Sequence, residues 1–141
     1  MGKFYLLVLA FCCGVFPLRA QSIHFDRLDI NDGLSQNTVT SIIQDDKGFM
    51  WFGTKDGLCR YDGKSFKTFM HDPRLTAGLG NSLIKRLVQD HGHRIWVGTD
   101  SGLYIYDPET EHFSGVPLYA ADGKPVTKPV SILDCDREGR V

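Results

Sequence analysis

Neighbouring acidic residues and closely spaced histidines are the groups in this chain whose types and spacing could support catalysis or metal binding. Asp45 and Asp46 offer two carboxyl groups for general acid and base chemistry. Adjacent residues of a strand point to opposite faces, so these two groups are not expected to converge on one substrate. His91 and His93 have the spacing of metal ligands, but they lie in a predicted turn without further ligands, which favours a solvated turn over a zinc site.

The remaining reactive side chains do not form a catalytic set either. Glu109 and Glu111 fall in a predicted outer turn, where we expect both carboxylates to be solvated. Cys59 and Cys135 could form a disulfide in an exported chain, but packed free thiols are the favoured interpretation. The sequence therefore predicts no catalytic residues, no metal site and no cofactor.

Charge and composition exclude one class of function for this segment. The 141 residues carry a formal net charge of −1, and 42% of them are hydrophobic, which is typical of a globular chain of at most one domain. No basic face is available to neutralise phosphates, so this segment is not expected to bind nucleic acid.

Residues 1–20 have the pattern of a secretory signal peptide. Lys3 precedes an apolar run from Phe4 to Phe16, and Ala20 offers a small residue before the expected cleavage site. The run is shorter than the roughly 20 apolar residues of a membrane span. A lipoprotein anchor at Cys12 is disfavoured because the preceding Phe11 is large. We therefore expect a mature chain that begins near Gln21 and works outside the cytoplasm, in the periplasm.

A repeat of about 45 residues organises the rest of the chain. The segments 46–62 and 90–107 match when one extra residue is placed between the first glycine and the tryptophan of the second copy. The paired positions are Asp46/Asp90, Gly48/Gly92, Trp51/Trp96, Gly53/Gly98, Thr54/Thr99, Gly57/Gly102, Leu58/Leu103, Tyr61/Tyr106 and Asp62/Asp107. Short strands and glycine turns at this period are typical of a β-propeller blade.

This repeat predicts an all-β fold, a partial β-propeller with two four-stranded antiparallel blades and the start of a third. The blades are expected at residues 38–69 and 82–118, with Trp51 and Trp96 buried between layers. Thr54 and Thr99 are expected to form hydrogen bonds within their blades, and Asp46 and Asp90 to accept hydrogen bonds from turn amides.

Both termini extend the repeat pattern. Residues 23–28 are expected to form a strand, because Phe25 precedes Asn37 by the same interval that separates Phe69 from Asn81. Propellers often borrow such a terminal strand to close the ring. Residues 130–141 follow the register of residues 39–50 and stop before a tryptophan. We therefore expect this chain to be the N-terminal piece of a longer protein and to be poorly stable alone.

The predicted organisation has five parts. These are a signal peptide at residues 1–20, a closing strand and turn at 21–37, a blade with its connector at 38–80, a second blade with its connector at 81–129, and the start of a third blade at 130–141.

The Trp-x-Gly-Thr-x-x-Gly-Leu pattern, which occurs twice in register, resembles the two-component regulator propeller repeat. The segment from Asp32 to Asn37 and the Phe-x-His-Asp-Pro connector that ends at Pro73 also resemble that family. The resemblance implies an extracytoplasmic sensor segment of a hybrid histidine kinase, with an oligosaccharide as ligand and a homodimer as the signalling form. It also implies that kinase and membrane-spanning regions lie further along such a protein.

Two other functions stay open from the sequence. Asp46-x-Gly48-x-x-Trp51 partly resembles the Asp-box of sialidase-type propeller glycosidases, although Gln44 stands where that motif prefers serine. A propeller that binds another protein through its loops would share every feature of the repeat. Under the sensor interpretation, the candidate ligand-binding loops are Asn31 to Asn37, Lys55 and Asp56, His71 to Asn81, and Asp100 and Ser101.

Overall fold

The computed structural model describes residues 24–136, 138, 140 and 141; the predicted signal peptide lies outside the described residues. Two four-stranded antiparallel sheets form the body of the described chain, and their strands lie side by side in sequence order. The first sheet contains β1 (Val39–Gln44), β2 (Met50–Thr54), β3 (Gly57–Tyr61) and β4 (Phe66–Phe69). The second contains β5 (Ile84–Gln89), β6 (Ile95–Thr99), β7 (Gly102–Asp107) and β8 (His112–Val116). The predicted pair of propeller blades is confirmed.

Two small elements accompany these sheets. A short hairpin of β9 (Leu118–Tyr119) and β10 (Pro125–Val126) follows the second sheet. A 3₁₀ turn at Ile30–Asp32 precedes the first sheet. No helix among the described residues is long and apolar enough to cross a membrane.

The tight turn between the second and third strand of each blade is held by a buried threonine. Thr54 Oγ1 donates to the carbonyl of Gly57 at 2.9 Å and accepts from the amide of Asp56 at 3.0 Å. Thr99 Oγ1 donates to the carbonyl of Gly102 at 3.0 Å in the second blade. Gly57 has φ +114°, a backbone conformation that side chains disfavour. The expected hydrogen bonds of the two threonines are confirmed.

The register of the repeat differs from the sequence alignment in one respect. Gln44 pairs with Met50 in the first sheet, and Gln89 pairs with Ile95 in the second, so the two turns have the same length. The equivalent carboxylates are therefore Asp45 and Asp90. The pairing of Asp46 with Asp90, the pairing of Gly48 with Gly92 and the extra residue were wrong. The left-handed position of the turn is Gly48 (φ +89°) in one copy and His93 (φ +65°) in the other.

The two sheets stack through their innermost strands, β1 and β5. Thr40 Oγ1 donates across the junction to the carbonyl of Ile84 at 2.9 Å, and Ser41 Oγ accepts from the amide of Leu87 at 3.1 Å. Side-by-side packing of inner strands is the geometry by which propeller blades surround an axis. Each blade thereby buries apolar area that a lone four-stranded sheet would expose.

Aromatic rings fill the space between the two sheets. Trp51 is fully buried, with its ring centroid 5.1 Å from that of Tyr106 and 6.0 Å from that of Phe69. The Phe113 ring belongs to the same cluster, and its centroid lies 5.0 Å from that of Tyr106. Trp96 was expected to be equally buried but is only partly buried. The expectation is confirmed for Trp51 only.

The two segments that flank the sheets differ in whether they form the structure that the sequence predicts. Residues 24–29 form no strand, and Phe25 is 83% exposed, so the expected closing strand is not formed in the described part of the chain. Asp136, by contrast, accepts from the amides of Glu138 and Arg140 at 2.9 Å, the same two turn positions from which Asp45 accepts. The amide of Val130 donates to the carbonyl of Thr99 at 2.9 Å. The predicted register of the third repeat agrees with this turn.

Candidate ligand-binding edge

The four predicted ligand-binding loops lie together on one edge of the two sheets, which we call the mouth edge. Antiparallel order places the β2–β3 and β6–β7 turns at the same end as the entry to β1 and to β5. Ser35 Oγ lies 2.9 Å from Thr54 Oγ1, which joins loop 31–37 to the first turn. The amide of Asp100 donates to the carbonyl of Leu83 at 3.0 Å and so joins the second turn to the entry of β5.

Loop 71–81 is ordered by its own contacts before any ligand binds. The amide of His71 donates to Ser82 Oγ at 2.9 Å, and His71 Nδ1 lies 2.9 Å from the carbonyl oxygen of Leu79. Leu79 is buried in the aromatic core between the sheets. The Arg74 guanidinium donates to Asp72, and this hydrogen bond lowers the pKa of the partly buried Asp72 carboxyl. A loop fixed in this way loses less conformational freedom when it binds a ligand.

Loop 31–37 is fixed in a similar manner. Asp29 caps the 3₁₀ turn by accepting from the amide of Asn31 at 2.8 Å, and its own amide donates to Asp32 at 2.8 Å. Leu34 is buried, and Ser35 Oγ accepts a hydrogen bond from the Cys59 thiol at 3.1 Å. The mouth edge therefore presents polar loops on a rigid sheet scaffold, which is a common arrangement for binding sites.

The adjacent carboxylates Asp45 and Asp46 lie on the opposite edge and serve two different structural purposes. Asp45 is buried and accepts from Trp51 Nε1 at 2.7 Å and from the amides of Lys47 and Phe49. Asp46 is exposed and accepts from Gln89 Nε2 of the other sheet at 2.8 Å, which lowers the pKa of Asp46. Both residues lie in the turn after β1 rather than within a strand, so the expected opposed strand directions do not apply; the two carboxylates instead make separate contacts within and between the blades.

The histidine pair lies on the same opposite edge, in the turn that the sequence predicts. His93 Nδ1 contacts the Asp46 carboxylate across the junction between the sheets. Among the described residues, no group of three or more histidine, cysteine or acidic side chains is arranged to hold a metal ion. Cys59 is buried and Cys135 is partly buried, and both are free thiols.

One predicted outer-turn residue has a contact that the sequence analysis missed. Glu109 is exposed as expected, but Glu111 lies 2.6 Å from Lys67 Nζ and 3.4 Å from an Arg60 guanidinium nitrogen of the first sheet. The hydrogen bond from Lys67 lowers the pKa of Glu111. Glu111 is also exposed, as expected, but its contacts with the first sheet were not predicted. Arg60 and Lys67 are visible in the sequence as possible partners of Glu111. Whether they come close to it depends on how the two sheets stack.

An open cavity of about 690 Å³ lies between the β6–β7 turn, the end of β8 and the β9–β10 hairpin. Ser101, one of the predicted loop residues, contributes to its wall, and Tyr104 projects into it. The sequence analysis missed Tyr104, because its counterpart in the first blade is Cys59 and the repeat pattern therefore does not include it.

The stacked four-stranded sheets and their turn chemistry define a propeller-blade protein. Residues 33–56 match the family model described as two component regulator propeller, so the predicted repeat is confirmed in the first blade. The chain is 37% identical over 75 residues to histidine kinase P4 of Formosa agariphila, a match that covers 52% of this chain and 5% of that protein.

Solved structures are similar to this chain over more of its length. The extracellular domain of the putative hybrid two component system BT3049 from B. thetaiotaomicron is 31% identical, with a TM-score of 0.72, over 81% of this chain and 16% of that one. The extracellular domain of the putative one component system BT4673 from the same organism shares the fold at 21% identity, with a TM-score of 0.60, over 76% of this chain and 15% of that one. This chain thus spans a small fraction of the proteins it resembles.

Proposed function

We propose that this chain is the extracytoplasmic ligand-sensing propeller segment of a hybrid two-component sensor histidine kinase. The observation that carries the proposal is the likeness to the extracellular domain of a putative hybrid two component system, at 31% identity over 81% of this chain. The match of residues 33–56 to the two component regulator propeller supports it independently. In this function the segment works in the periplasm and performs no catalysis of its own.

The proposed ligand is an oligosaccharide that binds at the mouth edge. Loops 31–37 and 71–81 are held by buried leucines and by hydrogen bonds to the sheets, so they form a prepared surface rather than flexible tails. Two paired sensor chains could adopt more than one arrangement. A ligand that binds one arrangement more tightly would stabilise it and so change the activity of a kinase on the other side of the membrane. The homodimer is part of this proposal.

The glycosidase alternative receives no support from the geometry. A sialidase-type site needs several arginines that converge on the substrate carboxylate. Here Arg60 contacts Glu111, Arg74 contacts Asp72, and Arg94 contacts Asp90. The carboxylate that organises the turn before Trp51 is Asp45 rather than the Asp46 of the Asp-box-like match.

A genetic experiment tests the sensor function. In-frame removal of residues 31–116 from the gene in its native host is expected to abolish the transcriptional response to one class of oligosaccharide while growth on glucose is unchanged. A variant with Lys47→Ala, which lies on the opposite edge, is the matched control and is expected to respond normally. A full response after the deletion would contradict the proposal, and a response to a protein partner instead of a glycan would favour the protein-binding alternative.

A further inference from the structure

Tyr104 occupies in the second blade the position that Cys59 holds in the first. Cys59 pairs with Thr68 on the neighbouring outer strand, and Tyr104 pairs with Gly115. Ser35 of the first blade and Gly80 of the second are 45 residues apart, the same interval that separates Cys59 from Tyr104. Three positions that touch one another have therefore changed together between the two blades.

The set of Ser35, Cys59 and Thr68 packs differently from the set of Gly80, Tyr104 and Gly115. The Cys59 thiol donates to Ser35 Oγ at 3.1 Å and lies 3.5 Å from Thr68 Oγ1, so this small set is closed and Cys59 is fully buried. In the second blade a Cβ on Gly80 would lie 1.8 Å from the Tyr104 hydroxyl oxygen. The large ring therefore requires a glycine at position 80. The exchange replaces a closed polar contact with a partly buried aromatic ring that packs against the core.

Glycines leave part of this ring uncovered by side chains. A Cβ on Gly115 would lie 3.6 Å from Tyr104, and a Cβ on Gly102 would lie 3.8 Å away, both at van der Waals contact. Because neither residue has a side chain, no side chain from these positions covers the ring. Tyr104 instead lines the open cavity of about 690 Å³ at the mouth edge. This volume falls in the range of about 300–1,000 Å³ that is usual for ligand pockets.

The walls of the cavity indicate the chemical class of its ligand. Pro117 and Pro125 provide apolar surface, while Ser101, Thr127 and the tyrosine hydroxyl provide hydrogen-bonding groups. Among the residues that the structure describes, no Asp, Glu, Lys, Arg or His lines the cavity. A charged ligand group would find no partner of opposite charge there, whereas a ring with one apolar face and a hydroxylated rim would satisfy both kinds of wall.

We propose that this cavity is a subsite for an uncharged sugar unit whose apolar face stacks on Tyr104. The inference rests on the proposed oligosaccharide-sensing function and adds the ligand class to it: neutral glycans rather than uronic, sulfated or sialylated ones. Tyrosine suits such a contact because it supplies a rigid amphipathic surface at low cost in conformational entropy.

Isothermal titration of the full mature chain tests the subsite. The neutral probes are cellohexaose, mannohexaose, laminarihexaose and xylohexaose, and the acidic probes are an oligogalacturonate and a heparin-derived hexasaccharide. At least one neutral probe is expected to bind more tightly than both acidic probes. Its sugar C–H protons should shift upfield in the NMR spectrum, because stacking places them over an aromatic ring.

A triple variant provides the matched test of the residues. Tyr104→Cys with Gly80→Ser and Gly115→Thr recreates the set that already packs in the first blade, so its fold should be retained. It is expected to bind the neutral probe about tenfold more weakly, as the loss of one aromatic contact predicts. Tyr104→Phe keeps the ring and should bind within a few-fold of the parent chain, as should the opposite-edge control Lys47→Ala.

The outcomes separate this inference from the proposed function. Unchanged binding by a folded triple variant, a preference for acidic probes, or the absence of upfield shifts would overturn the subsite while leaving glycan sensing intact. A loss for Tyr104→Phe as large as that of the triple variant would overturn stacking as the mode of contact. Failure of every neutral and acidic probe to bind would overturn both proposals.

Discussion

The indole nitrogen of Trp51 donates a hydrogen bond to Asp45, and the two atoms lie 2.7 Å apart. Trp96 makes the same contact with Asp90 at 2.7 Å. In each blade one carboxylate therefore closes the turn between the first two strands and also orients the tryptophan of the next strand. This contact gives the repeat its structural unit, a turn and a tryptophan ring that share one carboxylate as acceptor.

Replacement of Asp45 by alanine is expected to destabilise the chain by about 2–3 kcal/mol, because the fully buried indole N–H of Trp51 loses its partner. The exposed Asp56 is the control, and its replacement by alanine should change the free energy of unfolding by less than about 0.5 kcal/mol. Urea denaturation of both variants measures the difference. Equal stability of the two variants would show that the turn does not depend on Asp45.

The stability of the chain is expected to depend on pH through Asp90. Burial raises the pKa of this carboxyl, but hydrogen bonds from Trp96 and from the amide and guanidinium of Arg94 outweigh burial and lower it overall. A lowered pKa in the folded state stabilises the fold above the unfolded value of about 3.9, and this stabilisation is lost as the pH falls through the folded value. Asp90→Asn should flatten the decline in unfolding free energy below about pH 4. A decline as steep as that of the parent chain would contradict this assignment.

The glycine of the Trp-x-Gly-Thr pattern is expected to be required by stacking of the blades. A Cβ on Gly53 would lie 2.7 Å from Ile84 Cγ2 of the neighbouring sheet. Gly53→Ala should therefore lower the free energy of unfolding by about 1–3 kcal/mol through overpacking. Gly115→Ala is the matched control on a strand, because its Cβ would lie at an ordinary 3.6 Å from Tyr104. Thermal melts that show no difference between the two variants would count against this packing.

The sequence predicts those parts of the fold that depend on local chemistry. Glycine turns and the threonine after the tryptophan mark the strand boundaries, because each residue acts within a few positions of itself. The register of the aspartate turn was misjudged because Gly92 was aligned with Gly48, whereas the left-handed position of the second turn is held by His93. A non-glycine residue with positive φ has no reliable sequence signal, so an extra residue was placed in the second copy although the two turns have equal length.

Contacts between blades were the harder part to predict. Glu111 meets Lys67 only because the two sheets stack with a particular offset, and spacing along the chain does not reveal it. Tyr104 was not predicted because the repeat pattern contains only positions at which the two blades agree. Position 104 differs from its counterpart, Cys59. At the candidate site, the grouping of the four loops followed from strand order, while the cavity beside Tyr104 depended on side-chain packing.

The predicted signal peptide has a direct chemical test. Mass spectrometry of the chain recovered from the periplasm of an expressing cell should show a mature terminus at Gln21, because cleavage is expected after Ala20. Replacement of Ala20 by a bulky residue such as Phe should slow this cleavage and leave the precursor intact. An unprocessed Met1 terminus on cytoplasmic chain with the native sequence would contradict export.

Hydrogen exchange in the presence of a bound oligosaccharide tests the central claim most directly. If this chain is a sensor that binds glycans at its mouth edge, exchange should slow in peptides that contain residues 31–37, 71–81 and 100–101. Peptides that contain the opposite-edge turns, at residues 45–49 and 91–94, should exchange as they do without ligand. Protection confined to the opposite edge, or no protection by a glycan that binds, would contradict the account.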